Sequence, residues 1–184
     1  MMDAFKAQQS IHRRFALTLL LQFQAIVKEL PSLVDVDVPA GEQVTVCGDT
    51  HGQYFDLLHI FDLNGLPSSS NPYVFNGDFV DRGSWSVEVI LTLMAWKVLD
   101  TSCMHLTRGN HEAQSLNKIY GFEGEVKAKF NDTVMAIFRC VPLPLTLLCP
   151  VSVPFFPLLC GTHRLLPCLL LWHLLVMARN ACPH

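Results

Sequence analysis

The sequence predicts an α/β fold with a parallel βαβαβ core, a leading helix and an irregular apolar tail, and three observations carry this. Apolar runs of strand length at 44–47, 73–75 and 103–106 each open into a polar loop that contains glycine. Stretches of helix length lie between them, and the repeating order strand, loop, helix is the pattern of a parallel sheet. All 16 acidic residues fall before residue 140, whereas 140–184 holds seven of the 11 prolines and five of the seven cysteines. The chain has 184 residues, room for about one domain.

In chain order, Asp3 to Leu30 places apolar side chains at 15, 19, 23, 26, 27 and 30, which predicts one leading helix stopped by Pro31. Residues 32–43 form a linker with Pro39 and Gly41 as turn residues. Val44 to Cys47 is the first strand and Tyr54 to Phe61 the helix after it. Tyr73 to Phe75 is the second strand, and Ser84 to Leu99 a long helix with Ser84 as its cap. Cys103 to Leu106 is the third strand. The expected organisation is 1–43 leading helix and linker, 44–139 catalytic segment and 140–184 Pro/Cys-rich tail.

Thirteen Lys and Arg against 16 Asp and Glu give a net charge of −3 with no basic run, which argues against nucleic acid as a partner. The run Phe15 to Leu21 is too short and too polar in its flanks for a secretory signal. Cys47 and Cys103 read as buried thiols of a reducing compartment, so cytoplasm or nucleus is expected. The only membrane candidate, 165–178, is shorter than the ~20 residues a crossing requires and contains Pro167, so the expectation is no membrane span.

Loops at the carboxyl ends of parallel strands open on one edge of the sheet, where ligands bind. The three loops read Gly48-Asp49-Thr50-His51-Gly52, Gly77-Asp78-Phe79-Val80-Asp81-Arg82-Gly83 and Arg108-Gly109-Asn110-His111-Glu112. Asp49 and His51, two apart on extended backbone, can turn to one ion, and Asp78 arrives from the next strand. Carboxylates with imidazole suit manganese, iron or zinc, and a carboxylate such as Asp78 can bridge two ions that activate a water. Asn110 offers a neutral oxygen to the second ion, Arg82 and Arg108 offer positive donors to an oxyanion, and His111 can donate a proton to a leaving group. Any one of these loops alone would read as ordinary turn chemistry.

The strings GDTHG, GDFVDRG and RGNHE resemble the signature of the PPP family of metal-dependent serine/threonine protein phosphatases. The flanking LNGLP, NPYVFNGDFVDRGS, SVEVILTL and IYGFEGEVKAK are most similar to its type-5 branch, over about residues 10 to 132. This resemblance implies the N-terminal half of a calcineurin-like metallophosphoesterase sandwich. It implies two divalent ions, manganese or iron with zinc, held by Asp49, His51, Asp78 and Asn110. It further implies phosphate binding by Arg82, with Asn110 beside the substrate, a general acid at His111 and orientation of that acid by Asp81. The implied substrates are phosphoserine and phosphothreonine in proteins.

The family pattern continues with further histidine ligands that residues 140–184 do not match, and His163, His173 and His184 carry no such motif. The second metal site is therefore expected to be incomplete and the activity impaired, with a catalytically inactive, partner-binding fragment as the alternative. A half sandwich also exposes apolar surface, which predicts chaperone association. Thr107 departs from the aliphatic residue usual before the RGNHE motif. The helical-repeat domain typical of the type-5 branch is expected to lie ahead of this chain.

Overall fold

The computed structural model describes residues 1–140, apart from 32, 37 and 39–41, together with the backbone of a short strand at 147–148. The membrane candidate 165–178 and the tail histidines His163, His173 and His184 lie outside the described residues. No helix among the described residues is long and apolar enough to cross a membrane.

The leading segment forms two helices where one was expected: α1 (Met2–Lys6) and α2 (Arg13–Glu29). Gln8 breaks the run by adopting a positive φ of 56°. The His12 imidazole then starts the second helix, its Nδ1 accepting from the Arg14 N–H at 3.2 Å. This start also rotates the buried stripe to Ala16, Leu20, Phe23 and Val27, leaving Phe15 67% exposed. Pro31 ends the helix as expected, because the residue before proline is driven out of helical geometry and Leu30 is extended at φ −77°, ψ 141°.

Strands β2 (Thr45–Cys47), β3 (Tyr73–Phe75) and β4 (Met104–Leu106) form the parallel sheet in that order. The register aligns Cys47 with Phe75 and Phe75 with Leu106, so all three strands end level and release their loops at one edge. Helix α3 (Tyr54–Asn64) follows the first loop and α4 (Ser86–Leu99) the second. Both pack into the apolar cluster that holds Tyr73, Phe75, Met104 and the buried face of α2. The opposite sheet face, at Val74, is covered by Val36 and Val38. A separate parallel pair joins β1 (Leu33–Val34) to β5 (Leu147–Leu148).

Ser84 is not the cap of α4. The helix begins at Ser86, and its first N–H groups are taken by a carboxylate distant in sequence, Glu125 of α6 (Phe122–Lys129), at 3.2 Å from Ser86 and 2.9 Å from Val87. Helices α5 (Gln114–Tyr120) and α7 (Asp132–Cys140) flank α6.

Candidate metal and phosphate site

The three loops knit into one another through main-chain bonds. Thr50 and His51 donate their N–H groups to the Asp78 carbonyl at 3.1 and 3.0 Å, and Gly52 donates to Phe79 at 2.9 Å. Gly77 and Gly109 allow the second and third loops to touch, since a Cβ on Gly77 would meet the Gly109 backbone and one on Gly109 would meet the Asp78 carboxylate. His51, Asp78, Asp81 and Arg82 all sit at positive φ, 37°, 52°, 69° and 68°. Four non-glycine residues in that sparsely populated region within two loops mark a site whose backbone is held by its surroundings.

Asp49, His51 and Asp78 are brought together as expected: one ligand atom from each lies within 4.8 Å of the others. His51 points its Nδ1 at the Val80 carbonyl at 2.9 Å. A carbonyl can only accept, so Nδ1 carries the proton and Nε2 keeps its lone pair free on the side of Asp49, 3.7 Å from that carboxylate. The donor set, two carboxylates and a neutral imidazole, fits a divalent ion of the manganese, iron or zinc type. Asn110 is exposed, and the residues on both sides of it rest against Asp78, Gly109 by close approach and His111 by an N–H bond of 2.8 Å to Oδ1.

Beside this cluster lies a buried Asp–His pair. His111 Nδ1 is 3.0 Å from Asp81 Oδ2, with Asp81 fully buried and His111 2% exposed. Arg82 Nη2 lies 3.1 Å from His111 Nε2. A guanidinium has no acceptor, so His111 Nε2 accepts here and the ring proton is on Nδ1, donated to Asp81. The His51 and His111 rings meet edge to face at 4.7 Å, and the Tyr120 ring makes a second edge-type contact with His111 at 5.1 Å.

Arg108, expected as a second cationic donor, turns back on its own loop. Its Nε and Nη2 donate to the Glu112 carbonyl at 3.3 and 3.2 Å. Thr107 is accounted for by its hydroxyl, which donates to the Phe75 carbonyl at 3.2 Å from a buried position.

Several residues to which the sequence assigns no role hold the site in place. Glu112 accepts main-chain N–H bonds of 2.8 Å from Asp78, Phe79 and Gly109, so one carboxylate fastens the second loop to the third. Burial pushes the Glu112 carboxyl above its ordinary range, while those three N–H groups pull it back down. Its place inside RGNHE was a signal; its role became visible only in the fold. Asn117 and the Phe122 N–H both bond Asp81, at 3.1 and 3.0 Å, and no local sequence feature announces either.

A parallel sheet edge that gathers two carboxylates and an oriented imidazole next to a buried Asp–His pair and an arginine is the layout of a metal-dependent phosphoester-cleaving protein. Residues 43–157 match the calcineurin-like phosphoesterase family, and the chain belongs to it. That family uses divalent metals, and the Asp49, His51 and Asp78 cluster is its candidate site here. Residues 1–35 match the PPP5 TPR repeat region, which corrects the expectation that such a region lies wholly ahead of this chain. The chain is 57% identical over 147 residues to serine/threonine-protein phosphatase 5 of Solanum lycopersicum, covering 78% of this chain and 26% of that one. The Homo sapiens protein of the same name is 54% identical over 138 residues, covering 75% of this chain and 28% of its own length. Among solved structures, a protein serine/threonine phosphatase from Saccharomyces cerevisiae with similarity to human phosphatase PP5 superposes with a TM-score of 0.71 at 38% identity, over 74% of this chain and 44% of that one. The chain thus spans about a quarter of the length of the two named relatives.

Proposed function

We propose that this chain carries the first metal site and the acid pair of a protein serine/threonine phosphatase, a hydrolase of phosphoserine and phosphothreonine esters. The observation that carries the reading is the convergence of Asp49, His51 and Asp78 within 4.8 Å, one loop away from the His111–Asp81 pair. Asp49, His51 and Asp78 would hold one divalent ion, and Asp78 with Asn110 would serve a second, the ions being manganese or iron with zinc. When bound, such ions supply Lewis acidity and activate water for attack on phosphorus.

The protein's own groups do the remainder. Arg82 is exposed and positioned to take the phosphoryl oxygens by paired N–H bonds. In the present arrangement its Nη2 occupies the lone pair of His111 Nε2. Drawing Arg82 onto the phosphate releases that nitrogen, which can then take up a proton from solvent and pass it to the departing serine or threonine oxygen, returning to its lone-pair form. Asp81 keeps the ring aligned through Nδ1 and stabilises its charged form.

The substrates on this reading are phosphoproteins, with no role for nucleic acid, in a reducing compartment of cytoplasm or nucleus that suits the buried free thiols Cys47 and Cys103. Residues 1–35 supply a protein-interaction region by their family match, and exposed apolar side chains such as Phe15, Leu63 and Ile119 favour chaperone association.

A second reading, a fragment that binds partners without turnover, is favoured by the second ion's sparse ligand set: Asp78 and Asn110 are the only two assigned to it among the described residues. Hydrolysis of p-nitrophenyl phosphate with added manganese separates the two. Turnover is expected, depressed by the weak second site, and His111→Ala and Asp78→Asn should each abolish it. A folded wild type that is as silent as both variants would leave only the binding reading.

A further inference from the structure

We infer that Asn117, one turn before the end of α5, is a positioning residue that sets the orientation of the His111–Asp81 pair. The inference rests on the phosphatase reading for its catalytic consequence, though not for its structural one. Asn117 is 8% exposed, and its amide nitrogen donates in two directions, to Asp81 Oδ2 at 3.1 Å and to the His111 carbonyl at 2.7 Å. Both partners can only accept, so chemistry alone fixes which end of the amide is which. Both N–H protons are thereby committed, one to the side chain of Asp81 and the other to the main chain of His111.

The geometry of the pair explains why that matters. Asp81 Oδ2 receives His111 Nδ1 and Asn117 together, while Oδ1 receives the Phe122 N–H at 3.0 Å. Removing Asn117 leaves Oδ2 with the imidazole as its sole partner among the described residues and frees the His111 main chain from α5. The carboxylate can then rotate about the Phe122 bond, and the ring loses the fixed acceptor that selects the Nδ1–H tautomer. Outer partners of this kind typically alter the function of the group they orient by about 10- to 100-fold. The amide does this from α5 and is not itself one of the assigned metal ligands, though the His111 main chain it holds also donates its N–H to Asp78 Oδ1 at 2.8 Å. Tyr120, at the end of the same helix, makes an edge-type ring contact with the imidazole, so α5 touches the ring as well as bonding the groups behind it.

The test uses the full chain with Asn117→Ala, Asn117→Ser and Asn117→Asp. Serine keeps one donor for two acceptors, alanine keeps none, and aspartate sets a carboxylate against Asp81. Long-range proton–nitrogen spectra of histidine-labelled protein, recorded with zinc, read the tautomer of His111 directly. The wild type should show the Nδ1–H form alone, with the Nε2–H form appearing in the order Ser, Ala, Asp. With p-nitrophenyl phosphate and manganese, kcat should fall about tenfold for Ala while KM changes less than twofold, and Ser should recover part of the loss. A His111 spectrum unchanged in folded Asn117→Ala or Asn117→Ser overturns the inference whether or not the chain turns over. Silence of the wild type in the assay alone counts against the phosphatase reading and leaves the spectral test standing.

Discussion

Gly109 shows how tightly single residues are specified here. Its missing side chain leaves room for the Asp78 carboxylate, which a Cβ would meet directly, and Gly77 stands in the same relation to the Gly109 backbone. Gly109→Ala must therefore push Asp78 out of the cluster it forms with Asp49 and His51. A loss of at least about tenfold in manganese affinity is expected, by calorimetric titration, with a stability cost of about 1–3 kcal/mol from overpacking. An unchanged manganese isotherm would show that Asp78 does not contribute a ligand. At this scale the sequence was readable wherever chemistry is local: Asp49, His51, Asp78, Asp81 and His111 advertise themselves by residue type and by glycine neighbours. Asn117 and the staple made by Glu112 did not, because their function is the identity of their partners, and Asn117 lies 36 residues from Asp81. Arg108 was misread for the converse reason, since a guanidinium near a phosphate-like motif looks available until the fold turns it onto the Glu112 carbonyl.

Elements follow the same logic. The strand Tyr73–Phe75 was legible to the residue, because three apolar side chains followed by Asn-Gly-Asp leave no other reading for a central strand. The start of α4 was not, because its cap comes from 39 residues downstream. Glu125 takes the Ser86 and Val87 N–H groups and is itself held by Lys129 at 2.8 Å, while Lys129 also bonds Glu88 at 2.6 Å and lies over the Trp85 ring. A carboxylate at a helix N-terminus satisfies orphan N–H groups and complements the helix dipole. Glu125→Ala should thus destabilise the chain by about 1–2 kcal/mol, read as a lower urea midpoint, in line with losing a cap. Glu125→Gln, which keeps one acceptor oxygen, should fall between. An alanine variant with the wild-type midpoint would mean that water caps α4 equally well. The single leading helix failed for a local reason: periodicity alone cannot register Gln8 leaving helical space, or the His12 side chain capping α2.

Across the whole molecule, the apolar centre encloses titratable groups that take no part in the site, and three of them bear on stability between about pH 8 and 10. Lys97 is 5% exposed, Cys47 7% and Cys103 1%. Burial lowers the Lys97 amine to about 8, with Cys103 and Asp100 opposing, although its ammonium donates to the Thr101 carbonyl at 2.6 Å. Burial raises the thiols, to about 12 for Cys47 and about 11 for Cys103. The unfolded chain holds the lysine proton up to its ordinary 10.5 and the folded chain releases it near 8, so the unfolded state binds more protons in that window and stability rises with pH there. The thiols act oppositely, because unfolded cysteine ionises near its ordinary 9 while the folded forms stay protonated, so stability falls as pH rises above 9. Lysine acts alone between 8 and 9, and two thiols outweigh it beyond. These three groups together therefore give urea-derived stability a maximum near pH 9, with a rise from pH 8 of at most about 1.4 kcal/mol, the value of one pH unit for one proton. Lys97→Met should erase that rise and stabilise the chain at pH 7 by up to about 3 kcal/mol, since it removes a charge that burial disfavours. If the variant keeps the rise between pH 8 and 9, Lys97 is charged inside the fold at no cost, and the apolar centre around α4 is wetter than its packing indicates.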